Sequence, residues 1–197
     1  MSFRIEQKLS INNNQIFEFK KWMKDKNYKK LYNDRIINSL YFENISNTMF
    51  LNSEEGILPR KKIRVRNYPE SIKKEFFLEN KISSAEGRFK TQKIISKQDF
   101  EAIKKKGLND IFYSSCFPKL YVTYQRSYYD CLTFRLTIDT NIVYKDYINK
   151  NHNNRDHSIV VEIKANVKHD LDSLMNSVPF QRIRFSKYSR AFISLYK

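Results

Sequence analysis

Fifteen charged residues recur at alternate positions in short segments of this chain, and their types suit the handling of a polyanion. The cations are Arg4, Lys8, Lys62, Arg64, Arg66, Lys81, Lys90, Arg126, Arg135, Lys164 and, outside a clear strand-like segment, Lys187. Glu6, Glu79, Asp139 and Glu162 occupy the same alternating positions, so eleven cations meet four carboxylates and leave an excess of seven. Guanidinium and ammonium groups bind phosphate oxygens through charge-assisted hydrogen bonds. Carboxylates beside them would repel a phosphate unless they hold Mg²⁺ or Mn²⁺, the hard cations that bridge Asp and Glu to phosphate oxygens. On a single strand a charged face means solvent. For the set, like charges on neighbouring strands repel, and an anionic ligand explains why they gather on one surface.

Composition narrows the classes. The chain has 197 residues and a formal charge of +16, with 41% apolar and 15% aromatic residues, enough to bury a core and to argue against disorder despite the charge. Its longest run without a charged residue is ten, Asn44 to Ser53. A membrane-spanning helix needs ~20 mostly apolar residues, so no spanning segment is expected. The N-terminus lacks the apolar stretch of a signal peptide, and two cysteines (Cys116, Cys131) suit a reducing compartment; the expected location is cytoplasmic. Three glycines (Gly56, Gly87, Gly107) are too dispersed for a P-loop or dinucleotide fingerprint. His152 and His157 lie in the polar run 149–157, which reads as a solvated loop rather than a zinc site, and no nucleophile signature appears.

The elements that must position the charges follow from hydrophobic period. Strands are expected at Phe3–Leu9, Ile36–Phe42, Arg60–Tyr68, Glu75–Ile82, Arg88–Ile95, Leu120–Tyr129, Thr133–Asp139 and Ser158–Lys164. In each charged segment the polar residues take one parity and residues such as Ile5, Ile63, Val65, Leu136, Ile138, Val161 and Ile163 take the other. Helices are expected from Asn13 or Asn14 to Lys26, over Asn44–Leu51, from a Ser96 cap to Gly107, over Asp110–Cys116, over His169–Val178 and over Ser186–Tyr196. With no repeat or linker, residues 1–197 read as a single domain. Strands of this kind close into a barrel with the charge either outside or inside, and the helices are numerous enough to cover an apolar outer surface.

Eight segments, in order, resemble the motifs of the VTC domain: Arg4-Ile5-Glu6-Gln7-Lys8, Ser39-Leu40-Tyr41-Phe42-Glu43-Asn44, Lys62-Ile63-Arg64-Val65-Arg66-Asn67-Tyr68, Leu78-Glu79-Asn80-Lys81, Val122-Thr123-Tyr124-Gln125-Arg126, Arg135-Leu136-Thr137-Ile138-Asp139, Val161-Glu162-Ile163-Lys164 and Phe185-Ser186-Lys187-Tyr188. Each is weak alone; eight in order are specific. The resemblance, to a short bacterial-type form within the triphosphate tunnel metalloenzymes, implies an α+β fold: an eight-stranded antiparallel β-barrel with a charged interior and helices packed outside. It implies phosphate contacts from Lys8, Lys62, Arg64, Arg66, Lys81, Lys90, Arg126, Arg135, Ser186 and Lys187, with Arg64, Arg66, Arg126 and Lys187 carrying catalysis. Glu162 would hold Mn²⁺ or Mg²⁺.

Two departures inform the reading. Arg4 stands where the hydrolase and cyclase branch of the superfamily has a first Glu, which favours the polymerase branch. On the fifth strand, Gln92 occupies a position that is commonly basic, with Lys93 offset to the other face. The expected activity is metal-dependent phosphoryl transfer from ATP to a growing inorganic polyphosphate chain. The alternatives are a tripolyphosphatase using water as acceptor, or a polyphosphate-binding module without turnover. Expected partners are ATP, triphosphate or polyphosphate; product translocation would require a membrane-protein partner. Nucleic acid is not expected, because the aromatics sit in apolar stripes rather than on a stacking platform. Glu6, Glu79 and Asp139 read first as ion-pair partners and second as metal ligands.

Overall fold

Period-two alternation underlies most of the ten strands among the described residues, and helices enter between them. The computed structural model of the chain describes residues 4–131, 134–166, 176, 178 and 180–197. The strands are β1 (Arg4–Ile11), β2 (Lys29–Glu43), β3 (Arg60–Asn67), β4 (Phe76–Ser84), β5 (Gly87–Ile95), β6 (Leu108–Asp110), β7 (Ser114–Cys131), β8 (Phe134–Asp146), β9 (Asn153–Asp156) and β10 (Ile159–Asn166). The helices are α1 (Ile16–Asp25), α2 (Thr48–Glu55), α3 (Lys97–Lys106) and α4 (Lys187–Tyr196). Eight strands follow the order β1-β10-β8-β7-β2-β3-β4-β5, with β6 on β7 and β9 on β8. This is an α+β fold on an antiparallel sheet. Among the described residues no ladder joins β5 back to β1, so the expected barrel is not closed by hydrogen bonds.

The chain divides into two units. Unit 1 is Met1–Arg35, Tyr124–Ile142 and Asp156–Phe185; unit 2 is Ile36–Thr123, Val143–Arg155 and Ser186–Lys197. In unit 1, Leu9 and Ile11 of β1, Val161 and Ile163 of β10, and Leu136 and Ile138 of β8 share a core with Phe19, Trp22 and Met23 of α1. Those three helical residues recur at i, i+3 and i+4, which puts them on one face of α1. Phe19 stacks on Trp22 with centroids 5.5 Å apart. In register, Leu9 opposes Val161 and Val161 opposes Ile138, so one parity of three strands builds the core and the other parity is left for charge.

Unit 2 repeats the scheme. Leu40, Phe42, Ile63, Val65 and Ile95 form its core with Phe100 of α3 and with Cys116, and Phe100 stacks on Phe76 at 4.4 Å. The Ser96 cap expected for α3 is present as a reciprocal pair with Asp99. The helix stops at Gly107, whose φ is +76°; a Cβ there would lie 2.6 Å from the Cys116 carbonyl oxygen, so only glycine fits. Phe50 of α2 stacks on Phe192 of α4 at 4.0 Å.

Several expectations need correction. Asp110–Cys116 is not a helix: Leu108–Asp110 pairs with Ser114–Cys116 as a hairpin. The Asp110 carboxylate accepts the Phe112 N–H at 3.0 Å and fixes the turn, while the apolar side chains that mimicked helical spacing, Ile111 and Phe112, are exposed. The short helix expected at Asn44 begins at Thr48, because the Asn44 side chain accepts the Thr48 N–H from outside the helix. Strand β2 begins seven residues earlier than expected, in a segment whose side chains are largely exposed. Within the run 149–157, residues Asn153–Asp156 form a strand on β8. The helix expected over His169–Val178 falls largely outside the described residues. Among those described, no helix is long and apolar enough to cross a membrane.

Candidate functional site

The charged parity of unit 2 is built by four adjacent strands. Cross-strand register places Tyr41, Arg64, Glu79 and Gln92 in one row across β2, β3, β4 and β5, and Lys62, Lys81 and Lys90 in the next row across β3, β4 and β5. Three ammonium groups in one row repel one another. The neighbouring row supplies one carboxylate, Glu79, only 2% exposed. Arg64 donates to it from Nε at 2.7 Å and lies 2.6 Å from it through Nη2; Lys90 donates at 2.6 Å, and Arg66 stands at 3.9 Å. Burial alone would raise the Glu79 pKa, but Arg64, Arg66 and Lys90 together hold it down at about 2. Burial lowers the pKa of Lys90, Glu79 counters it, and the neighbouring arginines add to the lowering. Glu79 is therefore stabilised as the anion by three cations, while the Lys90 ammonium is disfavoured first by burial and then by Arg66 and Arg64.

Neutral hydroxyls complete the arginine positions. The Tyr41 hydroxyl accepts from Arg64 Nη1 at 2.9 Å, and Ser39 Oγ accepts from Arg66 Nε at 3.3 Å. Ser39 and Tyr41 lie on β2 directly opposite Arg66 and Arg64. Gln92 Oε1 accepts from Lys90 at 2.9 Å, so the residue standing at a commonly basic position orients a lysine instead.

The start of α4 belongs to the same unit. Ser186 Oγ accepts the Ser189 N–H at 3.2 Å as the helix N-cap and also accepts from Lys62 Nζ at 2.8 Å. Lys187 is the first residue of the helix and is half-buried. Next to it, Tyr188 donates to the buried Glu43 carboxylate, which also accepts the Phe50 N–H at 2.7 Å. Burial raises the pKa of Glu43 even against these hydrogen bonds, and burial with Glu43 beside it keeps the Tyr188 phenol protonated. Lys62 lies 5.3 Å over the Tyr188 ring.

Unit 1 balances its charges differently. Arg126 meets Asp139 in a bidentate pair, Nε to Oδ1 at 2.5 Å and Nη2 to Oδ2 at 2.7 Å, and Asp139 is 0% exposed. Glu162 lies 2.6 Å from Lys164 and opposite Lys8 in register. Burial would raise the Glu162 pKa, but Lys164, Arg126 and Lys8 hold the carboxyl well below its usual range. Lys8 donates to the Phe185 carbonyl at 2.9 Å and stands 3.4 Å from Glu6. Arg135 opposes Lys164 in register and is exposed.

Oxygen donors in unit 1 fit a hard divalent cation. Glu162 supplies a carboxylate, and in register with it Thr137 carries a buried Oγ1 with no hydrogen-bond partner among the described residues. Mg²⁺ is typically held by one or two carboxylates plus substrate phosphates and water, so a large protein cage is not needed. Among the described residues, no three His, Cys, Asp or Glu side chains gather into a metal cage.

The expected site residues therefore fall into two sets: Lys8, Arg126, Arg135 and Glu162 in unit 1, and Lys62, Arg64, Arg66, Lys81, Lys90, Ser186 and Lys187 in unit 2. Glu79 and Asp139 are ion-pair partners of arginines, and Glu6 pairs with Lys8. Sequence reasoning did not assign Ser39, Tyr41, Glu43, Tyr188 or Thr137 to the site. The alternation of β2 puts Ser39, Tyr41 and Glu43 on one parity, but only the β2–β3 register shows that Ser39 and Tyr41 meet the arginines.

A family model described as VTC domain matches residues 3–196. No curated protein matches the chain. Solved structures with the same fold include a candidate adenylate cyclase from Bacillus halodurans, 12% identical, covering 94% of each chain with a TM-score of 0.63. A protein from Pyrococcus horikoshii OT3 is 16% identical over 97% of this chain and 99% of its own, with a TM-score of 0.58. A third, an adenylyl cyclase candidate from Hippeastrum described as having a dominant triphosphatase activity, is 11% identical over 97% and 96% of the two chains, with a TM-score of 0.56.

Proposed function

The chain belongs to the VTC domain family, and on that premise we propose that residues 1–197 act as one catalytic module for metal-dependent phosphoryl transfer from ATP to a growing inorganic polyphosphate chain. The observation that carries this reading is the unit 2 surface, where Lys62, Arg64, Arg66, Lys81 and Lys90 share a parity with the buried carboxylate of Glu79. Such a surface attracts phosphoryl oxygens strongly, since every added anion relieves cation–cation repulsion in a partly dehydrated setting.

Phosphoryl transfer asks little covalent chemistry of a protein and depends on positioning and charge neutralisation. Arg64 and Arg66 bind equatorial phosphoryl oxygens, with Tyr41, Ser39 and Glu79 fixing their guanidinium planes. Lys62, Lys81, Lys90 and Lys187 neutralise the charge that accumulates along a triphosphate. In unit 1, Arg126, Lys8 and Arg135 bind phosphate, and Asp139 holds Arg126 in one rotamer. Glu162, with Thr137 beside it, would hold Mn²⁺ or Mg²⁺; the bound metal supplies charge neutralisation of phosphoryl oxygens. A triphosphatase reading needs no other residues, only water in place of the polyphosphate acceptor, and the triphosphatase activity described for the Hippeastrum structure is the observation that favours it.

The test is incubation of the purified protein with ATP and Mn²⁺ or Mg²⁺, followed by ³¹P spectroscopy. Chain phosphate supports the polymerase, free phosphate alone supports the hydrolase, and unchanged ATP beside tight triphosphate binding leaves a binding module. In the same assay Glu162→Gln is expected to lower turnover roughly a hundredfold or more while triphosphate affinity stays within a few-fold, because charge needed only in the transition state affects rate. Full activity of that variant would make Glu162 a structural partner of Lys164.

A further inference from the structure

Away from these charged faces, unit 1 contains a recess of about 400 Å³ at the exit of α1, lined by Lys20, Met23, Lys24, Tyr28, Lys29 and Tyr129, with Asn27 at its edge. Its polar groups are in an unusual state. Among the described residues none of its three ammonium groups has a hydrogen-bond or ion-pair partner, whereas the adjacent Lys30 pairs with Asp34 at 2.9 Å. Lys20 and Lys24 stand at i,i+4 on the helix, a spacing at which like charges destabilise by a few tenths of a kcal/mol. Among the described residues no carboxylate lines the recess, and Lys20, Lys24 and Lys29 are exposed. The Tyr28 hydroxyl is buried without a hydrogen-bond partner among the described residues.

The apolar lining has its own geometry. Tyr28 packs on Trp22 with ring centroids 5.6 Å apart, and Tyr28 and Tyr129 both pack against the core that contains Met23. Asn27 leaves the helix in the left-handed conformation at φ 59°, and this lets the Lys26, Asn27 and Tyr28 N–H groups return to the carbonyls of Trp22, Lys24 and Met23. Those carbonyls are thereby occupied rather than left to repel an anion.

We propose that this recess binds a nucleotide-type organic phosphate, a planar ring against Tyr28, Tyr129 and Met23 with its phosphate among Lys20, Lys24 and Lys29. Each feature has a use in that pairing. The cations lack a counter-ion and phosphate supplies one; the buried phenol lacks an acceptor and a phosphate or ring oxygen supplies it; the aromatic and thioether surfaces give a flat base its contact. Burial, with Cys131 and Asp130 nearby, raises the Tyr28 pKa, so the phenol remains a donor at any physiological pH. An inorganic polyanion would satisfy only the lysines. The inference goes beyond the proposed function and does not depend on it.

Trp22 is the sole tryptophan of the chain and lies against Tyr28, so its fluorescence reports on the recess directly. The experiment titrates the full chain with adenosine monophosphate and, separately, with inorganic triphosphate, following Trp22 emission at fixed ionic strength. Adenosine monophosphate should give a saturable change that persists in Arg64→Ala. The double variant Lys24→Ala/Lys29→Ala should weaken it roughly tenfold or more, and Tyr28→Phe about threefold, with unchanged melting temperatures. The proposal is overturned if no saturable change occurs, if the lysine variant titrates like wild type, or if triphosphate produces the same change at the same concentrations. Failure of ATP turnover would leave this result standing, so the two readings fail separately.

Discussion

The two charged faces solve the same problem, many cations on one parity of an antiparallel sheet, in opposite ways. Unit 1 closes its charges into pairs: Arg126 spends Nε and Nη2 on Asp139, and Glu162 is matched by Lys164 with Lys8 across the ladder. Unit 2 gives three cations one carboxylate and fills the remaining donor positions with hydroxyls from Tyr41, Ser39 and Ser186. A pair closed by two ionised partners is rigid and self-sufficient. Cations held by hydroxyls keep their net charge, and so keep their pull on an anion. On the proposed function, unit 2 would carry the larger share of phosphate attraction and unit 1 the carboxylate that would hold a metal.

That contrast is most exposed to removal of one arginine from each face. Arg126→Ala removes the bidentate ion-pair partner of Asp139, which is 0% exposed, and should cost ~3–5 kcal/mol of unfolding free energy, as expected when one member of a buried pair is deleted. Arg64→Ala leaves Glu79 with Lys90 at 2.6 Å and Arg66 at 3.9 Å, so its cost should be nearer ~1 kcal/mol. Triphosphate affinity should respond in Arg64→Ala by roughly ten- to a hundredfold. Denaturant melts of both variants beside calorimetric titration decide it. Equal destabilisation would mean that the two faces are held by the same device.

How far the sequence carries can be judged on particular residues. The segment Arg60–Asn67 could be read because Lys62, Arg64 and Arg66 alternate with Ile63 and Val65, whereas in Gly87–Ile95 the alternation of Arg88, Lys90 and Gln92 is broken by Lys93 on the other parity. Exposed Lys29–Asp34 gives no alternation, and the Asp110 turn is fixed by one carboxylate bond, so the long β2 and the β6–β7 hairpin stay hidden. Candidate cations could be found from parity alone. Their partners could not, since Lys62 and Ser186 are 124 residues apart and Arg64 and Tyr41 meet only through register. Thr137 is invisible for a different reason: an unpaired buried hydroxyl has no sequence signature at all.

A smaller effect separates the faces by pH. The Glu79 pKa lies at about 2 in the folded chain against an ordinary 4.5, so its ion pairs contribute fully above pH 4.5 and are lost as pH falls toward 2. The contribution is about 2–3 kcal/mol at neutral pH. Glu79→Gln should therefore be less stable than wild type at pH 7, with the gap narrowing below pH 4.5 and nearly closed near pH 2, where Glu79 is half protonated in the folded chain. Melting temperatures of the two proteins across that window check it. A constant gap would mean that packing, rather than charge, accounts for the residue.

The smallest effect tests whether the unit 2 hydroxyls merely fill space or aim the arginines. Tyr41→Phe removes one oxygen and keeps the ring that lies 5.7 Å under the Arg64 guanidinium, so area and cation–π contact are preserved. The hydrogen bond at 2.9 Å is lost, while the restraint that Arg64 receives from β4, through Glu79, remains. A net hydrogen bond to a charged group is worth ~1.5–3 kcal/mol at most, and water can reach a side chain that is 18% exposed, which reduces the cost to ~1 kcal/mol, or about fivefold in triphosphate affinity. Stability should change little, because the lost partner is a neutral oxygen and the carboxylate pairing of Arg64 survives. The expected signature is weaker triphosphate binding with unchanged melting temperature, the reverse of Arg126→Ala, in which stability falls first. If Tyr41→Phe binds triphosphate as tightly as wild type, Arg64 is oriented without the Tyr41 hydroxyl, and the hydroxyls of β2 contribute packing rather than aim.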